Sequence, residues 1–151
     1  VSVRLETDTD RGLETRAISR ILDTAAPGTE AVTMPPLSAI DYLLTRDRQV
    51  TAAVEIKTRK ESVEQVRSYG GLMLKHRKLV EIADISDILR VRAFVAFCFE
   101  NATGPILLTE PSRLRHLTPV TPPPRRNYRG LACDDEPVVY LDWDNHLVSL
   151  T

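Results

Sequence analysis

The chain has only two cysteines in 151 residues, Cys98 inside the apolar run VRAFVAFCF and Cys133 in a polar stretch. They form no CxxC pair, so neither a structural zinc site nor a disulfide framework is expected, and a bridge between the two is not expected either. No apolar run approaches the ~20 residues that span a bilayer. No charged-then-apolar signal segment opens the sequence. The expectation is a cytoplasmic protein with no membrane partner. Glycine-rich signatures are missing as well: there is no GxGxxG, no P-loop and no nucleophile elbow. Dinucleotide, ATP and serine-hydrolase chemistry therefore have no support. There are no internal repeats. His116 and His146 lack a partner at metal-ligand or triad spacing, and read as loop residues.

What is present is ordinary globular composition, 42% hydrophobic and 27% charged, with a net charge of −1. The length suits one domain over residues 1–151, with a core at about 10–110 and a basic loop and hairpin at 111–151. Charge is unevenly placed. From Pro111 to Leu131 stand Arg113, Arg115, His116, Arg125, Arg126 and Arg129 with no acid between them. Asp134, Asp135, Glu136, Asp142 and Asp144 follow. A second basic cluster is Lys75, His76, Arg77 and Lys78. A near-neutral protein can hold a phosphate backbone through such local fields. Lys75, Lys78, Arg125 and Arg126 are the candidate nucleic-acid contacts, although a charge run is more often a solvated face.

Periodicity predicts a helix capped by Asp8 or Asp10 and running to about Ala25, with Leu13, Ala17 and Ile21 in one apolar row and Ile18, Leu22 and Ala25 beside it. Glu14 lies on the edge of that stripe. Ser38–Thr45 and Val50–Thr58 read as strands, the second alternating cleanly: Val50, Ala52, Val54, Ile56 against Thr51, Ala53, Glu55, Lys57. A long helix from Glu61 to about Asp84 is expected, interrupted if anywhere at Gly70-Gly71. Val91–Phe99 is a buried strand and Pro105–Thr109 a shorter one. PVVYLDW and HLVSL look like a terminal hairpin packed by Tyr140 and Trp143. The order α, β, β, α, β, β with a β-rich tail predicts an α/β (α+β) fold, a mixed sheet flanked by helices.

The sharpest feature is VEIKTRK. If the loop before it is Asp47-Arg48-Gln49, Asp41 on the first strand faces Glu55 on the second; a two-residue loop would set Asp41 opposite Val54 instead. Directly opposed Cβ atoms are roughly 4.5–5.5 Å apart, and like charges there destabilise a sheet. A divalent cation would compensate, and Mg²⁺ suits two strand carboxylates because it keeps waters and substrate oxygens. Lys57 shares the Glu55 face and can stabilise charge developing on a phosphoryl group.

A helix with an acid, then Asp41, then Glu55-Ile56-Lys57, then a helix with basic residues and a buried strand resembles the PD-(D/E)xK nuclease superfamily over about Leu13 to Phe99. Ile40 stands where the motif's name has proline. The tail RRNYRGLACDDEPVVYLDW is similar to phage members. The resemblance implies a restriction-endonuclease-like fold with an αβββ-type core, and a phosphodiesterase using Mg²⁺ or Mn²⁺ on nucleic acid, DNA favoured. It implies Asp41 and Glu55 as metal ligands with the Ile56 carbonyl, Lys57 as the assisting lysine, and Glu14 as the acid that many members carry on the first helix. Lys75 or Lys78 would match a basic or amide residue on the following helix. A homodimer is compatible with it. Two other readings use the same residues: a non-catalytic nucleic-acid-binding module, and a phage or host protein-interaction domain whose basic loop binds an acidic partner.

Overall fold

The computed structural model describes residues 8–99, 104–122 and 136–150. Arg125, Arg126, Arg129, Cys133, Asp134, Asp135 and the side chains of Asp8 and Asp10 lie outside the described residues. A six-stranded sheet organises the rest, in the order β1 (Glu30–Thr33), β2 (Tyr42–Arg46), β3 (Gln49–Arg59), β5 (Arg92–Phe99), β6 (Ile106–Thr109), β8 (Val148–Leu150). Among the described strands only β3 and β5 pair in parallel. The sheet is mixed, as the element order predicts.

Helix α1 (Asp8–Thr24) covers one face. Leu13, Ala17, Ile18 and Ile21 are buried there, with Ala17, Ile18 and Ile21 packed on Tyr42, Val54, Ile56, Ala96 and Cys98. The other face, with Ala53, Val95 and Phe97, is covered by α3 (His76–Leu89) and by a separate two-stranded sheet of β4 (Gly71–Lys75) and β7 (Val138–Asp142). Alternation along β3 thus sends Val54 and Ile56 to the α1 side and Ala53 to the α3 side.

The long helix expected over 61–84 is instead α2 (Val63–Ser68), β4 and α3. Ser62 and Gln65 form a reciprocal capping box that starts α2. Gly70, at φ 85°, then ends it. Leu72 and Leu74 are buried at strand spacing. Gly71 meets β7 so closely that a Cβ there would lie 1.8 Å from the Leu141 carbonyl oxygen. The whole stretch is the crossover that a parallel pair requires. The expected terminal hairpin is also corrected. β7 pairs with β4 while β8 pairs with β6, so the two strands enter different sheets. Between them the Asp142 carboxylate accepts from the Asp144 and Asn145 N–H groups at 3.0 and 3.1 Å. Among the described residues no helix is long and apolar enough to cross a membrane.

Candidate active site

The β2–β3 hairpin carries the candidate residues. Its turn is Asp47-Arg48, with φ of 50° and 65°, closed by the pair Arg46 and Gln49. Two positive φ values in a two-residue turn match the right-handed twist of the flanking strands. The three-residue loop of the sequence reading is therefore absent. Alone, this turn would have set Asp41 against Val54. A β-bulge prevents that: Thr45 pairs with Val50 but Leu44 pairs with Ala52, which leaves Thr51 as the extra residue. The Thr51 hydroxyl donates to the Leu44 carbonyl at 3.2 Å. Beyond the bulge Tyr42 faces Val54, and one further step in that register sets Asp41 against Glu55.

Asp41 lies just before β2, held by its own backbone. Its carbonyl accepts from the Met34 N–H at 2.8 Å and its N–H donates to the Val54 carbonyl at 3.0 Å. Its Oδ2 accepts from the Ile56 N–H at 2.7 Å. The N–H and C=O of a strand residue point to the same edge, so the Ile56 carbonyl faces the Asp41 side too.

Glu55 is buried, at 5% exposure. Its Oε1 receives two ammonium groups, Lys57 Nζ at 3.1 Å and Lys78 Nζ at 3.2 Å. Its Oε2 is buried with no hydrogen-bond partner. A bare carboxylate oxygen in the interior is costly unless something completes it. Asp41 carries the matching strain: its carboxyl is pushed up to about 7, first by burial and then by the negative charge of Glu55, against the lowering effect of the Ile56 N–H. The charge of Glu14 on α1 adds to the rise, and so does a hydrogen bond between the Asp41 carboxyl and the Glu55 carboxylate.

The structure thus brings Asp41, Glu55, Lys57, Lys78 and the Ile56 backbone together, with Glu14 within electrostatic reach. Lys75 turns elsewhere and pairs with Glu136 at 2.9 Å, beside Arg77. Of the basic stretch after Pro111, Arg113 pairs with Glu110 and Arg115 with Asp84 and Asp87 of α3. Two features had no sequence signal strong enough to read. Lys78 also donates to the Ala39 carbonyl at 2.9 Å, which ties α3 to the segment leading into Asp41. Arg59 lies on β3 two residues beyond Lys57; its guanidinium lies 5.2 Å over the Phe97 ring and donates to the Met73 carbonyl at 3.2 Å. Strand spacing from Glu55 through Lys57 is the pattern that would have pointed to it. A cavity of about 660 Å³ opens on the α1 face, floored by Leu44, Val54, Phe94 and Leu108, and none of the clustered carboxylates and lysines lines it.

The donor set suits a hard cation. Two carboxylates, one with a bare oxygen, and a backbone carbonyl match an ion that takes few protein oxygens and keeps its waters. Among the described residues no three His, Cys, Asp or Glu side chains group as a metal site.

The family described as "Phage putative PDDEXK endonuclease" matches residues 2–147. Among solved structures the fold is similar to Hjc, a Holliday junction resolvase from the archaeal hyperthermophile Archaeoglobus fulgidus, with a TM-score of 0.50. The sequences are 15% identical, and the likeness covers 89% of this chain and 81% of that one. At that identity it speaks for the fold alone: a restriction-endonuclease-like mixed sheet flanked by helices. No curated protein matches the sequence.

Proposed function

The chain belongs to the phage PD-(D/E)xK endonuclease family that matches residues 2–147, and from that premise we propose that it is a divalent-metal-dependent phosphodiesterase acting on DNA, with Asp41, Glu55 and the Ile56 carbonyl as the metal-holding groups. The observation that carries the reading is the buried, unpartnered Glu55 Oε2 beside an Asp41 carboxyl raised to about 7. Two acids that strain each other in the metal-free chain are relieved by a cation between them. When bound, Mg²⁺ or Mn²⁺ supplies Lewis-acid polarisation of the phosphoryl oxygen and a more acidic water.

The remaining roles follow from exposure and contacts. Lys57, with a third of its side chain exposed, can leave Glu55 for a phosphoryl oxygen and stabilise the charge that develops there. Lys78 has 15% of its side chain exposed and bridges Glu55 to the Ala39 carbonyl. It positions Glu55 and the Asp41 segment, with one ammonium fixing Oε1 while Oε2 stays open. Glu14 supplies further negative charge toward the cation from the α1 side. Arg125 and Arg126 contribute phosphate contacts, since a guanidinium fork matches phosphate geometry.

The test is cleavage of supercoiled plasmid and of single-stranded DNA with Mg²⁺, Mn²⁺ or EDTA. Cleavage with either metal that EDTA abolishes is the expected result. Salt-sensitive DNA binding with no cleavage under any metal would leave a binding module on the same fold.

A further inference from the structure

Leu37 is the most exposed large apolar side chain among the described residues, at 84%. Its backbone is left-handed, with φ of 67°. It stands in the turn Pro35-Pro36-Leu37-Ser38, closed by the Ser38 N–H donating to the Pro35 carbonyl at 3.2 Å. Proline second and a positive φ third is the type II pattern, whose third position calls for glycine or asparagine. A leucine in left-handed conformation crowds its Cβ against the following carbonyl, and at this exposure it recovers almost nothing by burial. Glycine would serve the fold better, so the side chain answers to something outside the chain.

The turn is held firmly for a surface loop. The Met34 N–H donates to the Asp41 carbonyl at 2.8 Å and closes its base. Lys78 Nζ holds the Ala39 carbonyl at 2.9 Å while it also holds Glu55. Two prolines stiffen the ascending limb. Leu37 lies four positions before Asp41, so their Cα atoms are at most about 14 Å apart. Leu37 therefore stands no farther from Asp41 than the depth of a duplex groove, about 8 Å, plus the width of a backbone. An apolar side chain presented at that distance from a held phosphate can reach the base stack.

We infer that Leu37 is a wedge that inserts at a base step beside the phosphate engaged by the carboxylate site, and that the preferred substrate is DNA whose stack opens easily at that step. The identity of the partner rests on the nuclease reading. Leucine is among the side chains that unstack base steps in this way. The cost is least at mismatches, and pyrimidine–purine steps are the ones most easily unstacked in a matched duplex. A wedge therefore converts deformability into specificity.

The experiment uses the full chain carrying Glu55→Gln, to block cleavage, bound to a duplex with 2-aminopurine opposite thymine. Scanning the probe along the site should find a position where binding raises its fluorescence. Leu37→Gly should lose that rise, and Leu37→Met, which keeps an apolar reach, should retain it. Leu37→Gly is expected to melt no lower than the native chain, because glycine takes this φ freely, so misfolding would not mimic the loss. With Glu55 intact, Leu37→Gly should lose discrimination between mismatched and matched duplexes in Mg²⁺. A fluorescence rise that survives Leu37→Gly, or none at any position, overturns the wedge, and would leave a protein contact as the use of Leu37. The nuclease reading fails separately, on absence of metal-dependent cleavage by the native chain, because the fluorescence requires binding only.

Discussion

Acidic centres on this fold are solved in two opposite ways. Glu110 accepts from Arg92 at both oxygens, at 2.9 and 3.1 Å, and Arg113 joins it. Its carboxyl is lowered, chiefly by the hydrogen bonds from Arg92. Glu136, held by Lys75 and Arg77, is lowered as well; its Oε2, like that of Glu55, makes no hydrogen bond, but Lys75 Nζ lies 2.9 Å from it. The pair Asp41 and Glu55 has two lysines within reach, yet both lie on one oxygen of Glu55, the other oxygen stays bare, and Asp41 is raised to about 7. An acid that serves the fold is satisfied by the fold. The contrast is what the proposed cation site rests on: Asp41, buried beside Glu55, is raised where Glu110 and Glu136 are lowered by their partners.

The largest effect that would sharpen this contrast is on Glu55. Glu55→Ala should abolish Mg²⁺-dependent cleavage, well beyond the ~10–100-fold typical of a supporting group, while thermal melting shows the fold retained; cleavage near the native rate would remove Glu55 from the metal site. Next, Lys57→Ala should lower kcat by about 10²–10³-fold and leave metal affinity, read by titration calorimetry, little changed. A parallel loss of metal binding would make Lys57 a structural counter-charge.

The third effect is on stability. Folded Asp41 holds its proton up to about 7, against an ordinary carboxyl value of 3.8. Between those values the folded chain binds more protons than the unfolded one, so stability of the metal-free protein falls as pH rises through that window and levels off above it. Asp41→Asn should flatten the profile and raise the melting temperature at pH 8. Added Mg²⁺ should stabilise the native chain at pH 8 far more than at pH 5. A melting temperature that climbs from pH 4 to 7 without metal would contradict the strain ascribed to Asp41.

A smaller effect is expected in the basic segment. Arg125→Ala with Arg126→Ala should weaken DNA binding and flatten its salt slope by about one unit per lost phosphate contact, with the saturated rate preserved. Unchanged affinity and slope would take these arginines out of the interface. The smallest is at the satisfied acid. Glu110→Gln should cost about 1 kcal/mol of stability or less and nothing in cleavage; a loss of activity there would erase the distinction between the two centres.

How much of this was readable from sequence depended on how local each cause is. The alternation of Val54 and Ile56 against Ala53 and Glu55 separated the two faces of β3; which of them meets α1 and which α3 is set by remote packing. The apolar rows of α1 were equally plain. β4 was hidden because Leu72 and Leu74 alternate over only five residues, and the decisive contact, Gly71 against Leu141, spans the chain. The tail reads as a hairpin because the Asp142–Asn145 turn has the chemistry of one, while the partners of β7 and β8 are remote strands. β1 is mostly exposed and so carries little apolar pattern. Opposition of Asp41 and Glu55 was anticipated through a three-residue loop that does not exist; the bulge at Thr51 supplies the same offset. Of the two lysines, only geometry separates Lys78, bonded to Glu55, from Lys75, bonded to Glu136.

That bulge makes the hairpin tip and the paired acids mechanically independent. Leu44 faces Ala52 and Thr45 faces Val50, so removing Thr51 would splice the two registers into one unbroken ladder and leave Asp41 in phase with Glu55. The register of the tip is thus set apart from that of the acids, which stay where the packed faces of β3 put them.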